Sequence, residues 1–400
     1  MADAPRVLDA LELAEGKRLS VVADADGLAA LPMIREPSGW RRAHPGDGVA
    51  EALLARLAAV DGAATAGRFT LRSWVHRTAT GERPMGVDQT NESVIVGDAA
   101  VVKWATHLQD GPHPAARRIG VLRDAGFGGM PTPWGLVTWQ PTGAAETLVA
   151  SVDEYLPGAV DGWTWAVELI TRADDPAPAV AAAVDVGELV AEMHAGLSST
   201  VTLASEQDAA RWRERALEIL ETACTLGDFA SVVTARARRS ELETMLDGLG
   251  ALAGTPVIEG HGDLHVGQVL RADGRFVVTD FDGNPVLPAA QRTLPIPAAL
   301  DVAGMIQSLA HAAIVARKYA TIDPAALAAA DAACRAALLR AYPTRLAELG
   351  HSELFDPGPL RAFRTQQVLR EIIYAARHLP RWMYVPDAAL PALLDEGIET

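Results

Sequence analysis

The segment Val257-Ile258-Glu259-Gly260-His261-Gly262-Asp263-Leu264-His265-Val266-Gly267-Gln268-Val269-Leu270 decides how this 400-residue chain is read. It continues as Arg271-Ala272-Asp273-Gly274-Arg275 and then Phe276-Val277-Val278-Thr279-Asp280-Phe281-Asp282-Gly283-Asn284-Pro285. Two short apolar strands flank a turn at Asp273-Gly274, a pattern that predicts a hairpin. Each strand has a carboxylate at its loop edge, Asp263 before the first and Asp280 after the second. An amide side chain, Gln268, follows Asp263 at a distance of five residues.

Phosphoryl transfer from a nucleotide needs this set of groups. One carboxylate orients an acceptor hydroxyl and takes its proton, while a second carboxylate and a neutral oxygen ligand hold Mg²⁺ against the phosphates. The order and spacing match a kinase catalytic loop, with Gln268 in the place of asparagine and Asp280-Phe281-Asp282 in the place of Asp-Phe-Gly. Asp263 is therefore the candidate base, Gln268 and Asp280 the candidate metal ligands, and Asp282 a candidate for a second ion. His261 is expected to fix the loop through backbone bonds. His265 either hydrogen-bonds the acceptor or braces the loop.

Upstream of this segment the chain is rich in strands. To about Ala66 short apolar runs alternate with Pro/Gly punctuation, with one helix predicted from Gly48 to Val60. Phe69–Val75 alternates like a half-buried strand, and Ser93–Val96 and Ala99–Trp104 form a hairpin about Gly97-Asp98. Lys103 lies in the second of these strands, and only Lys17 and Lys318 accompany it among 35 cationic side chains. It either reaches the α- and β-phosphates or is an edge-strand lysine directed to water. The helix after Pro114 has no acid to hold it, and no Gly-x-Gly-x-x-Gly loop precedes it. Asp88–Ser93 stands in that place, which makes Asn91 and Ser93 candidate phosphate contacts. Asp153, Tyr155 and Leu156, at the end of the strand region, are candidates for the adenine.

From Thr164 the chain is mostly helical, with predicted helices at Asp185–Leu197, Asp208–Thr225, Thr234–Leu249 and from Asp301 onward. Pro176–Val184 reads as an Ala-rich loop entering a helix. Strand-rich first and helix-rich second is a bilobal α+β layout, with borders expected at 1–85, 86–156 and 157–400. The net charge of −16 disfavours nucleic acid and anionic membranes as partners. The chain has no apolar run of about 18 residues, the length that spans a bilayer. Two distant cysteines, Cys224 and Cys334, form no disulfide framework, and the start of the chain lacks a secretory layout. A cytoplasmic protein, monomeric or weakly dimeric, is expected.

His261–Arg271 resembles the catalytic loop of bacterial maltokinases, a branch of the aminoglycoside phosphotransferase-like, eukaryotic-kinase-like fold. The likeness extends to the Asn91–Lys103 hairpin, Gly158–Trp163, Glu192-Met193-His194, Asp301–Met305, Glu371–Tyr374 and Pro380-Arg381-Trp382. It implies an N-terminal cap subdomain, a β-rich nucleotide-binding subdomain and a helical C-lobe. It also implies ATP with Mg²⁺ as donor and a sugar acceptor near the C-terminal helices. The chain departs from the maltokinase pattern at Asp282, Asn284 and Ala375, where sugar would be read. A related group of actinobacterial glucosamine kinases departs in the same way. The resemblance thus implies phosphorylation of D-glucosamine at O6, ahead of maltose at O1, an aminoglycoside or a non-catalytic binding role. Asp263, His265, Asp301, Glu371, Tyr374, Arg377 and Trp382 are the expected acceptor residues. Glu371, Tyr374 and Arg377 are expected to share a helix face, which serves equally for ordinary core packing.

Overall fold

In a computed structural model of the protein, residues 6–25, 27–85, 91–108 and 111–396 are described. They divide into two compact units. The first runs to Ala159 and takes in Asp280–Leu294, and the second comprises Val160–Thr279 and the chain from Pro295 onward.

The first unit opens with a four-stranded antiparallel meander of β1 (Arg6–Ala14), β2 (Lys17–Asp24), β3 (Gly27–Glu36) and β4 (Gly39–Arg42). Helix α1 (Val49–Ala58) follows, close to the span its apolar spacing predicts. Next come β5 (Ala63–Ala66), β6 (Phe69–Ser73), β7 (Glu82–Pro84), β8 (Glu92–Val96) and β9 (Ala100–Trp104). Helix α2 (Pro114–Asp124) separates them from β10 (Pro133–Trp139) and β11 (Thr147–Glu154). These seven strands form one sheet in the order β5-β6-β10-β11-β9-β8-β7. The 85/86 border expected from sequence falls inside this sheet, because Pro84 of β7 pairs with Val94 of β8. Every residue of β10 is buried, which explains its near-continuous apolar run. Leu53, Leu54 and Leu57 of α1 share a core with Phe69, Leu71, Val102, Trp104, Val137 and Val152.

The second unit is mainly helical. It contains α3 (Gly162–Ile170), α4 (Ala177–Gly196), β12 (Thr202–Leu203), α5 (Glu206–Cys224), α6 (Ala230–Ala237) and α7 (Arg239–Asp247). Strand β13 (Pro256–Val257) pairs with β12, and β14 (Val269–Ala272) pairs with β15 (Arg275–Val278) across the expected turn at Asp273-Gly274. After α8 (Ala289–Arg292), which belongs to the first unit, the helices α9 (Ala298–Tyr319), α10 (Pro324–Glu348), α11 (Leu360–His378) and α12 (Tyr384–Asp395) complete it.

Two predicted elements differ. The Ala-rich stretch expected as a loop is the first half of α4, since alanine has the best intrinsic helix propensity and a proline is tolerated in the first turn. The single helix expected over Thr234–Leu249 is divided at Arg238, whose φ of −108° and ψ of 25° leave the helical region. Helix α9 also reaches the length and apolar composition of a membrane span, although no uninterrupted apolar run exists in the sequence. In the fold 67% of that window is buried.

Candidate active site

Strand pairing in the first unit determines what surrounds Lys103. Lys103 on β9 is opposite Ser93 of β8 on one side and Ser151 of β11 on the other. Period-two alternation puts Asp153, two residues along β11 from Ser151, on the same sheet face. The sheet strand itself thus brings a carboxylate to the lysine, in place of the absent helix acid. Burial lowers the Lys103 pKa, but the charges of Asp153, Asp280 and Asp282 outweigh it and hold the ammonium above the ordinary lysine value. Asp153 is pushed up from the usual carboxylate range by burial, partly offset by Lys103. The edge-strand alternative is thereby disfavoured, since Lys103 is half-buried on an inner strand, between β11 and β8, and the charges of Asp153, Asp280 and Asp282 act on it.

Helix α2 contributes an arginine, which the sequence reading missed. Arg118, 2% exposed, donates from one terminal nitrogen to the Phe281 carbonyl at 2.9 Å and from the other to the Arg292 carbonyl at 2.8 Å. It grips the backbone between Asp280 and Asp282. His113, the N-cap of α2, places Nε2 3.9 Å from Asp282 Oδ2, and burial pulls its imidazole below the usual value. Asp280 sits at φ 64°, a left-handed backbone rare outside glycine. A cue for Arg118 existed, since a large cation falls on the apolar stripe of α2 with Ala115, Ile119 and Leu122.

Two nucleotide residues need correction. The Tyr155 N–H donates to the Ala99 carbonyl at 2.9 Å and its ring lies under Arg83, so its backbone donor is not left for an adenine. The Asp153 side chain faces Lys103. Asn91 and Ser93 frame the start of β8, half-buried and buried respectively, and Leu156 is half-buried. The neighbouring Asp88, Gln89 and Thr90 lie outside the described residues.

In the second unit, helix α9 organises the loop that bears Asp263. Asp301, Gly304, Ser308 and His311 recur at intervals of three, four and three, so they form one stripe. Asp301 is fully buried. Its Oδ2 accepts from the His261 N–H at 2.7 Å and its Oδ1 from the Gly262 N–H at 2.8 Å. Burial would raise this carboxyl, but the His194 hydrogen bond and the loop contacts outweigh it and hold it below the usual range. His194 Nε2 lies 3.3 Å from Asp301 Oδ2, and its Nδ1 lies 2.8 Å from the Tyr342 hydroxyl. His194 is a packed helix histidine, as expected. Asp301 is corrected from acceptor ligand to loop anchor, because both of its oxygens are engaged by backbone N–H groups. At Gly304 any side chain would be barred, since a Cβ would lie 2.3 Å from the Leu264 carbonyl oxygen. Gly162 is as constrained, its Cβ position 1.6 Å from the Val266 carbonyl. Ser308 Oγ accepts from the Val266 N–H at 2.8 Å.

Around that loop His261 Nε2 lies 3.0 Å from the Thr279 carbonyl, so it braces the hairpin as expected. The Thr279 N–H donates to the Gln268 carbonyl at 2.8 Å, and Asp280 follows directly in the chain. Asp263 is half-buried, and Arg370 donates to its Oδ1 at 3.2 Å. His265 Nδ1 accepts from the Gly267 N–H at 3.0 Å, which braces the loop through one nitrogen. Burial pulls its imidazole below the usual histidine value. The Trp163 ring is 6.1 Å from that imidazole and 5.7 Å from Trp382, edge to face. Trp382 is thus joined to the loop.

The expected shared face on α11 does not hold. Glu371 packs inward, with Oε1 3.2 Å from His311 Nδ1 and 3.1 Å from Gln367 Nε2. Tyr374 is exposed beside His378, and Arg377 is exposed. Six residues at about 100° each set Arg377 roughly 120° round the helix from Glu371. Among the described residues no cluster of three or more His, Cys, Asp or Glu side chains is gathered to hold a metal. The expected donors Gln268, Asp280 and Asp282 offer only oxygen, which suits Mg²⁺, an ion that takes its remaining ligands from phosphate and water.

No family model matches the chain. It is 63% identical over 398 residues to a glucosamine kinase of Mycolicibacterium smegmatis (strain ATCC 700084 / mc(2)155), covering 98% of this chain and 99% of the relative. It is 46% identical over 408 residues to a glucosamine kinase of Streptacidiphilus jiangxiensis, covering 99% and 93%. A solved glucosamine kinase in complex with glucosamine, ADP and inorganic phosphate superposes with a TM-score of 0.88. It is 44% identical, with 98% of this chain and 94% of that one covered. Another crystal form reaches a TM-score of 0.90 at 43% identity, with 99% and 95% covered. These likenesses support the α+β kinase-like fold expected from sequence and do not favour the maltokinase alternative.

Proposed function

The chain belongs to the glucosamine kinase family, and on that premise we propose that it transfers the γ-phosphoryl group of ATP to the 6-hydroxyl of D-glucosamine. Full-length likeness to glucosamine kinases, one of them solved with glucosamine and ADP, is the observation that carries this reading. In the proposed mechanism Asp263, steadied by Arg370 and by the Asp301-anchored loop, orients the sugar hydroxyl and accepts its proton. The new bond joins the sugar oxygen to the γ-phosphorus as the bond to the β-phosphate oxygen breaks, and ADP leaves. Lys103 balances phosphate charge, with Asp153 keeping it protonated. Asn91, Ser93 and Leu156 are the remaining nucleotide contacts. Mg²⁺ held by Asp280, Asp282 and the Gln268 amide oxygen would neutralise the β- and γ-phosphate oxygens.

For the acceptor, Glu371 supplies a negative charge that suits an ammonium group, and Trp382 an apolar ring face for a pyranose. Burial would raise the Glu371 carboxyl, but His311, Gln367 and His265 outweigh it and hold it below the usual range. His265, close enough to act on Glu371, and the exposed Tyr374 and Arg377 are the further acceptor candidates. We place the protein in the cytoplasm, where ATP is abundant, acting on small molecules as a monomer or weak dimer.

An acceptor screen with ATP and Mg²⁺ tests the reading. Glucosamine should be turned over with the highest kcat/KM, against glucose, maltose, N-acetylglucosamine and an aminoglycoside, and NMR of the product should show the phosphate on O6. A higher kcat/KM for any other acceptor overturns it.

A further inference from the structure

Behind Glu371 a buried chain of polar groups runs through the second unit. Gln307 is 1% exposed, His311 fully buried and Arg364 8% exposed. Arg364 donates from Nε to Gln307 Oε1 at 3.1 Å, and its terminal nitrogens donate to Glu396 Oε2 at 2.7 Å and Oε1 at 3.0 Å. Arg335 donates to the same Glu396 at 3.0 Å. Gln307 Nε2 lies 3.0 Å from His311 Nε2, and His311 Nδ1 lies 3.2 Å from Glu371 Oε1.

The donor inventory makes this chain directional. Arginine has only donors, so the Gln307 oxygen must face Arg364 and its NH₂ must face the imidazole. An amide NH₂ only donates, so His311 Nε2 must be the acceptor, and the ring proton sits on Nδ1 beside Glu371. A second ring proton would set N–H against N–H. The clamp of Glu396 on Arg364 keeps the amide from turning over. His311 Nδ1 and the other oxygen of Glu371, Oε2, are both buried and neither makes a hydrogen bond among the described residues, so the 3.2 Å approach of Nδ1 to Oε1 is a close polar contact rather than a hydrogen bond.

We propose that Gln307 is a positioning residue for acceptor choice: it locks His311 as the neutral Nδ1–H ring, so that Glu371 keeps its full negative charge for a cationic acceptor. This rests on the amino-sugar reading above. It assigns to a residue one step removed from the sugar the task of keeping Glu371 from being neutralised by its own neighbour.

The isosteric variant Gln307→Glu tests it in the full-length enzyme. A carboxylate there accepts from His311 Nε2–H, so the ring takes a second proton and offsets the Glu371 charge. The ratio of kcat/KM for glucosamine to that for glucose should fall about tenfold or more, through a higher KM for glucosamine. Imidazole ¹⁵N shifts of His311 should report Nδ1–H in the wild type and a doubly protonated ring in the variant. An imidazolium or an Nε2–H ring in the wild type overturns the proposal. So does an unchanged acceptor ratio in a variant whose ring is doubly protonated. Should Q307E fold poorly, the wild-type spectrum still decides the tautomer, and R364K, which releases the Gln307 amide, should lower the same ratio. A wild-type enzyme with the Nδ1–H ring but no preference for glucosamine overturns the amino-sugar reading instead, so the two failures are told apart.

Discussion

Asp263 shows how little of a catalytic residue's setting is carried by its own motif. The spacing to Gln268 and Asp280 named it, because those intervals are local and tied to one hairpin. Its arginine partner comes from α11, more than a hundred residues later, and no local pattern announces such a contact. The same holds for Asp301. Its sequence context suggested an acceptor ligand, whereas burial and two backbone N–H donors make it an anchor. A buried carboxylate and a ligand-facing one look alike until their surroundings are known. With Asp263 as base, Asp263→Asn keeps the size and most hydrogen-bonding capacity of the side chain but cannot take a proton. We predict that kcat falls about 10²- to 10⁴-fold while the Kd for ATP, read by calorimetry, stays close to that of the wild type.

At the level of elements, strand pairing and helix stripes do most of the arranging. Lys103 acquires Asp153 because antiparallel register puts both on one sheet face. This was hidden in sequence, since register is set by long-range pairing rather than by either strand alone. Helix α2 was legible as a helix from its Pro114 start, but Arg118 was not legible as its working residue, because its targets are carbonyls near Asp280 and on α8. Replacing Arg118 with methionine keeps the bulk and leaves two carbonyls without their donors, at a cost of about 1–3 kcal/mol each. We predict a lower Tm and weaker Mg²⁺-dependent nucleotide binding. Arg118→Lys should recover part of both, which thermal shift with and without ATP and Mg²⁺ would reveal.

For the molecule as a whole, the sequence conveyed the strand-rich and helix-rich halves but placed its borders by composition alone. Contacts divide the chain at Ala159, three residues from the expected 156/157 border, but send Asp280–Leu294 back to the first unit. Composition cannot disclose such a return, because the segment looks like any Pro/Gly-rich loop. We predict that a fragment ending at Ala159 is readily digested by protease, whereas one that runs to Leu294 gains resistance across the first unit. Equal resistance of the two fragments would contradict the assignment. The return has a further consequence during synthesis. Although the first unit is made first, the strands that emerge earliest must wait on the ribosome for a segment translated more than a hundred residues later, after the catalytic loop itself. Nascent chains of this protein therefore spend a long interval with Arg118 deprived of its carbonyls, a window in which chaperones have most to hold.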